Sequence, residues 1–231
     1  MLQAILNNKI QRSLSVEDDK IRIAPMEDTL TSSVFGNLLY LPSELLLGIL
    51  DDCSYSSKLT KSCGPLEEYS FWPNWQSDDQ QSVQPDLFLR FSHCDLIIEA
   101  KRLDHNQQSR KQWENEVRSY YKEYGEENKK VVLLAIGGLT NTGKEQILND
   151  VDVVKISWNR LLASVSLLKK CIEKMEVKSS SLISQVNILS DIISYFEYHG
   201  YFEMTWFEDF SLKYDTIQID DRDIRKWNSE K

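Results

Sequence analysis

Pro85-Asp86 and Glu99-Ala100-Lys101 are the residues of this 231-residue chain whose types and spacing suit chemistry best. Twelve residues separate the aspartate from the glutamate. Two carboxylates held close together repel unless a cation lies between them. Mg²⁺ is a hard ion that takes oxygen ligands and keeps several waters. Asp86, Glu99 and the Ala100 carbonyl are such ligands, with positions left for water and a phosphate oxygen. An ion there would lower the pKa of its water and stabilise charge on a phosphoryl group. Lys101 would orient or help deprotonate the water, or neutralise the transition state. None of this requires histidine, which suits a chain with three.

The elements that position these groups read as a hairpin. Leu87-Phe88-Leu89-Arg90-Phe91 alternates and is rich in strand formers, Ser92-His93-Cys94-Asp95 is short enough to turn, and Leu96 to Lys101 is a second strand with an apolar start. Side chains alternate across a strand, so Glu99 and Lys101 share a face and Ala100 points away. Antiparallel pairing brings Asp86 beside Glu99. A charge at the end of a buried strand is costly without a partner or a metal.

These motifs resemble those of the PD-(D/E)XK nuclease superfamily, the restriction-endonuclease-like fold. Pro85-Asp86 matches its first motif and Glu99-Ala100-Lys101 its second. The resemblance covers roughly residues 20 to 160, allowing the usual error in boundaries. It implies that Asp86 and Glu99 are metal ligands and Lys101 the catalytic lysine. It also implies an acid on the helix before the sheet, for which Glu27 is the best match and Asp28 and Glu44 the weaker ones. A glutamine is expected on the helix after the second motif, and Gln112 takes that role. Gln112, Glu116 and Tyr120 follow at steps of four on one helix face. Where the family pattern has tyrosine four residues after the glutamine, this chain has Glu116.

Along the chain, residues 27–41 predict a helix ending before Pro42, and Pro42-Ser43-Glu44 opens another through Leu50. Residues 51–80 are polar and turn-rich, a long loop or irregular strand. Asp104 caps a helix running to Gly125, with Trp113, Val117, Tyr120 and Tyr124 on its apolar face. Strands are expected at Val131–Ile136 and Val153–Ser157. Helices follow from Trp158 or Asn159 to about Met175, and along Leu182, Val186, Leu189, Ile193 and Phe196. The expected fold is α/β: an αβββαβ core with a mixed sheet flanked by helices, residues 1–160, and a helical C-terminal extension, 161–231, packed on it.

Other features have structural readings beside functional ones. Gly138 to Lys144 has the GxxxxGK spacing of a phosphate-binding loop, but Glu145 stands where that motif needs Ser or Thr. A glycine-rich strand-to-helix loop is the simpler reading. Phe71-Trp72-Pro73-Asn74-Trp75 either packs against the domain or stacks on bases. Trp113, Trp158 and Trp206 are assigned to the core. The cysteines Cys53, Cys63, Cys94 and Cys171 lack any CxxC pair. They are read as reduced thiols of a cytoplasmic protein, with a zinc site of Cys53, Cys63 and His93 as the competing use. No apolar run reaches the length of a membrane span, and the first residues do not read as a signal peptide.

The net charge of −9 opposes autonomous binding to nucleic acid. Arg90, Arg102, Arg110 and Lys111 are the candidates for DNA-backbone contacts. A homodimer, or a partner subunit that delivers the DNA, is expected. The sequence thus predicts a Mg²⁺- or Mn²⁺-dependent DNA endonuclease, of a restriction, anti-phage defence or transposition system. The alternatives are a non-catalytic interaction subunit of the same fold and a nucleotide-binding regulator using the Gly138 loop.

Overall fold

The structure, a computed structural model, describes residues 2–9, 14–17, 20–55, 63–76, 82–103, 106–176 and 179–203. A short helix α1 (Leu2–Leu6) and a hairpin of β1 (Leu14–Glu17) and β2 (Lys20–Ile23) lead into α2 (Glu27–Leu38) and α3 (Ser43–Cys53). Then come β3 (Leu66–Phe71), the small hairpin β4 (Trp75–Gln76) and β5 (Ser82–Val83), β6 (Leu87–Phe91) and β7 (Cys94–Ala100). Helix α4 (Arg110–Tyr124) precedes β8 (Lys130–Ile136), β9 (Glu145–Ile147) and β10 (Val151–Ile156). Helices α5 (Trp158–Glu173) and α6 (Ser180–Tyr198) follow.

Six of these strands form one mixed sheet in the order β3-β6-β7-β8-β10-β9. The pairs β3–β6, β6–β7 and β10–β9 are antiparallel, while β7, β8 and β10 are mutually parallel. The expected αβββαβ order is present as α2/α3, then β3, β6 and β7, then α4, then β8. Every residue of β7 is buried, as a central strand covered on both faces requires.

Alternation along β7 builds two apolar layers. Leu96, Ile98 and Ala100 join Val132, Leu134, Ile136, Val154 and Ile156 against α2, α3, α5 and α6. Ile97, Val131, Leu133, Ala135 and Val153 face the other way, against Trp113, Val117 and Tyr120 of α4. Trp158, Leu161 and Leu162 of α5 and Leu189 and Phe196 of α6 lie in the same cluster as α2 and α3. Each fully buried Leu or Ile of these layers contributes about 1.5–3 kcal/mol.

Several local expectations change. The stretch expected as loop contains β3, an edge strand whose outward side is polar (Glu67, Glu68) and therefore lacks a strong apolar signal. The hairpin turn is tighter than expected, because Cys94 already pairs in β7. Helix α4 starts at Arg110 with Ser109 as its N-cap, and Asp104, expected to cap it, lies outside the described residues, as do His105 and Trp206. Phe71, Trp72 and Trp75 are buried, so that aromatic segment packs inward rather than offering faces to bases. Cys63 and Cys94 are joined in a disulfide, against the expectation of reduced thiols and of a zinc site using Cys63. Cys53 and Cys171 are free.

The Gly138 loop does not lead into a helix. Strand β9 begins at Glu145, pairing antiparallel with β10. A phosphate cradle needs the N–H groups of a helix N-terminus behind the loop, and none stands there. Glu145 instead pairs with Arg110 at 2.9 Å and with the buried Lys155 at 2.8 Å.

Candidate active site

The carboxyl ends of β7, β8 and β10 lie together, because these strands are parallel. In open α/β sheets ligands bind at that edge. The Lys101 amide bonds the Ile136 carbonyl and the Gly137 amide bonds the Ile156 carbonyl, so the edge is laced by backbone. Gly137 and Gly138 have φ of +63° and +60°, a conformation in which a side chain is strained. A Cβ on Gly137 would lie 2.1 Å from the Lys101 carbonyl oxygen, so the backbone approaches the site too closely for any other residue. The Trp158 indole donates to that same carbonyl at 2.7 Å.

Strand β6 pairs with β7 in a register that sets Leu87 opposite Ile98. One step further places Asp86 beside Glu99, as the hairpin reading expects. Both carboxyl groups are buried. One oxygen of Asp86 accepts from the Ala100 amide at 2.8 Å, the other from the Trp72 indole at 3.1 Å. Lys101 reaches back to a Glu99 oxygen in a close ion pair. The same ammonium donates to the Ala100 carbonyl at 3.2 Å and to Glu27 at 3.4 Å. The second Glu27 oxygen accepts from the Arg102 amide at 2.9 Å. Glu27 is delivered by the first turn of α2, where an acid also suits the helix dipole.

Helix α4 adds Gln112 and Glu116. The Gln112 amide donates to Glu116 at 3.0 Å. Glu116 is buried and in contact with Glu99, and one of its oxygens has no hydrogen-bond donor. Gln108, between β7 and α4, donates to the carbonyls of Glu99, Ile136 and Gly137 at 3.1, 3.3 and 3.1 Å, and accepts from the Trp113 indole at 2.8 Å. It ties both strand ends to the helix. Neither Glu116 nor Gln108 is among the residues the sequence reading assigns to the site. The step of four from Gln112 was a usable signal for Glu116.

The electrostatics distinguish this end of β7 from the other. Asp95, four residues before Glu99 on the same face, is buried too, but Lys129 lies 2.9 Å away, Arg90 3.7 Å, and the Tyr120 hydroxyl donates at 3.0 Å. That acid is compensated. Around Glu99, the Lys101 ammonium pairs with Glu99 and Glu27 and acts on Asp86 at a distance, while Glu116 has the neutral amide of Gln112. Burial, then the Glu99 charge, pushes Asp86 and Glu116 well above the usual carboxyl range. Burial raises Glu99 as well, against the opposing pull of Lys101. For Lys101, burial is outweighed by Glu99, and its pKa rises.

The donor set fits a hard divalent cation. It consists of oxygens, its acids outnumber the Lys101 ammonium that pairs with Glu99 and Glu27, and an oxygen of Glu116 is buried without a donor. Three of the four groups expected to bind metal, Glu99, Glu27 and the Ala100 carbonyl, converge on the Lys101 ammonium, and the fourth, Asp86, is adjacent. Among the described residues, no three acidic, histidine or cysteine side chains stand in coordinating geometry around a common point. The ammonium takes that central position.

The cationic candidates for backbone contacts do not form one stripe. Arg102 adjoins Lys101, and Arg110 and Lys111 open α4 next to Gln112. Arg110 is engaged by Glu114 and Glu145, each at 2.9 Å. Arg90 sits at the far end of β6, roughly 13 Å from Asp86 by strand rise. There it pairs with Glu127 and Asp95 and lies over the Tyr124 ring.

No family model matches the chain. The chain is 32% identical to the uncharacterized protein PM0110 of Pasteurella multocida (strain Pm70), over 98% of its own length and 93% of that protein's. It belongs to the same family. That relative carries no stated activity, so this family's chemistry has to be argued from the site. Among solved structures, the chain is similar to the small subunit of the heterodimeric restriction endonuclease R.BspD6I, with 13% identity and a TM-score of 0.28 over 54% of this chain and 80% of that one. That likeness is too slight to carry a functional argument. Among the described residues, no helix is long and apolar enough to cross a membrane.

Proposed function

We propose that this chain is a metal-dependent nuclease that hydrolyses DNA phosphodiester bonds. The observation that carries the reading is the convergence of Glu99, Glu27 and the Ala100 carbonyl on Lys101, with Asp86 beside them. Asp86, Glu99, Glu27 and the Ala100 carbonyl would hold Mg²⁺ or Mn²⁺, which supplies a lowered water pKa and charge stabilisation at phosphorus. Lys101 keeps its proton and neutralises the charge that builds on the phosphoryl oxygens. It also holds Glu99 and Glu27 at a fixed separation before substrate arrives. The indole of Trp72 and the Ala100 amide orient Asp86 by occupying one lone pair on each oxygen. Gln112 orients Glu116 against Glu99.

The net charge of −9 and the internal pairing of Arg90 and Arg110 support delivery of DNA by a second copy or a partner subunit. Arg102 and Lys111 are the cations left nearest the site for backbone contact.

The test is cleavage of plasmid and linear DNA with Mg²⁺ or Mn²⁺, comparing wild type with Asp86→Ala and Lys101→Ala. Nicking or linearisation by wild type, lost in both variants, is the expected result. Equal background in all three samples would remove catalysis and leave an interaction subunit of the same fold.

A further inference from the structure

Helix α6 ends at Tyr198, and the chain then turns back toward the sheet. The His199 amide bonds the carbonyls of Tyr195 and Phe196, Gly200 takes φ +85°, and the Tyr201 amide bonds the Phe196 carbonyl at 2.9 Å. This turn delivers two side chains to the elements that flank Lys101. The Tyr201 hydroxyl donates to the Arg102 carbonyl in a close contact. The His199 ring lies 3.0 Å from the Thr29 hydroxyl through Nε2 and 2.8 Å from the Tyr195 carbonyl through Nδ1. A carbonyl only accepts, so Nδ1 carries the proton and Nε2 is an acceptor that shares the single Thr29 proton with the Met26 carbonyl.

Thr29 is not a neutral anchor. Its hydroxyl accepts from the Met26 amide at 2.9 Å and lies 2.8 Å from the Met26 carbonyl, so it caps the first turn of α2. Glu27 is in that turn. The second Glu27 oxygen accepts from the amide of Arg102, the same residue whose carbonyl Tyr201 holds. The contacts therefore close a ring: Glu27, Arg102, Tyr201, His199, Thr29 and back to Glu27 through one helical turn. His199 is buried and Tyr201 partly so, with its ring against Phe196.

We infer that the turn His199–Tyr201 is a clamp that fixes Glu27 against Lys101 and Arg102, making the C-terminal helix part of the positioning machinery of the site. The consequence for cleavage rests on the nuclease reading above; the clamp itself does not. His199 and Tyr201 are positioning residues, since they act through Thr29 and Arg102.

Tyr201→Phe removes one hydroxyl and keeps the ring. Three measurements on the full chain separate the outcomes: amide hydrogen exchange at Arg102, Mn²⁺ affinity by calorimetry, and the kcat and KM of cleavage. The clamp predicts about tenfold faster exchange at Arg102, the size of one lost hydrogen bond. It also predicts weaker Mn²⁺ binding, and a lower kcat at unchanged KM for DNA. His199→Ala should act in the same direction, and His199→Gln, which keeps an acceptor for Thr29, should recover part of the loss. If Tyr201→Phe folds poorly, His199→Gln against His199→Ala decides alone by the same exchange measurement. Unchanged exchange at Arg102 and unchanged Mn²⁺ affinity would overturn the clamp, even with wild-type cleavage intact. A wild type that neither binds Mn²⁺ nor cleaves would overturn the nuclease reading, while the Arg102 exchange still judges the clamp.

Discussion

Glu116 meets Glu99 carboxyl to carboxyl inside the protein, with Gln112 donating to one Glu116 oxygen and no donor at the other. Burial first, and Glu99 second, raises Glu116 above its ordinary value, and Asp86 shifts the same way for the same causes. A carboxyl with a higher pKa when folded takes up a proton on folding. Its contribution to stability is whole below the unfolded value near about 4 and is lost as pH rises through the folded value, at ~1.4 kcal/mol per pH unit for each proton retained. The metal-free protein should therefore lose stability as pH rises above the ordinary carboxyl range near about 4. Glu116→Gln, which cannot ionise, should flatten that decline, and saturating Mg²⁺ should reverse it. Urea unfolding midpoints across this rise in pH check it; identical slopes for wild type and variant would sink it.

Gly137 has no room for a side chain against the Lys101 carbonyl. Gly137→Ala should cost about 1–3 kcal/mol from the positive φ alone. Relief requires displacing Lys101, so cleavage should fall by a larger factor than stability does. Thermal unfolding and cleavage rates of the same sample measure the two. A variant of normal activity would show that the β8 end does not set the lysine.

Trp72 supplies one of the two donors to Asp86. Trp72→Phe keeps an aromatic ring in the core and removes the N–H. Asp86 then has one buried oxygen without its partner, a loss of about 1–3 kcal/mol. Metal affinity should fall as well, because the Ala100 amide alone is left to orient Asp86. Calorimetric titration with Mn²⁺ reads that directly, and an unchanged dissociation constant would argue that Trp72 serves packing alone.

Cys63 and Cys94 are 31 residues apart and bonded at the end of β7 away from Glu99. A cross-link closing a loop of that size stabilises by roughly 3–4 kcal/mol in the chain-entropy model. Cys63→Ala with Cys94→Ala should lower the unfolding midpoint while leaving cleavage by the folded protein near wild type. Denaturation with and without reductant is the companion measurement. Loss of cleavage at temperatures where the variant is folded would link that end of the sheet to the site.

The hairpin was legible because its signals are local. Leu87 to Phe91 and Leu96 to Lys101 alternate, the turn between them is short, and period-two geometry then leaves Asp86 beside Glu99. The helices α2, α3, α5 and α6 announced themselves by their proline, caps and apolar spacing. Strand β3 did not, because an edge strand with Glu67 and Glu68 outward lacks the apolar pattern of a buried one. Strand β9, three residues long, is defined by its pairing with β10 rather than by its own composition.

What the sequence by itself determined is the inventory: two acids and a lysine spaced to meet on a hairpin, and an acid and a glutamine on helices either side. Tertiary structure alone decided which further groups join them. The step of four puts Glu116 on the Gln112 face, but its meeting with Glu99 depends on how α4 docks, and Tyr201 joins because α6 returns to the sheet edge. Cys63 finds Cys94 only when the sheet has formed, at a Cα separation of 4.7 Å. The physical reason is range. Alternation and helical period are fixed by bonds between near neighbours, whereas a buried charge is held by whatever the whole fold brings within a few ångströms of it.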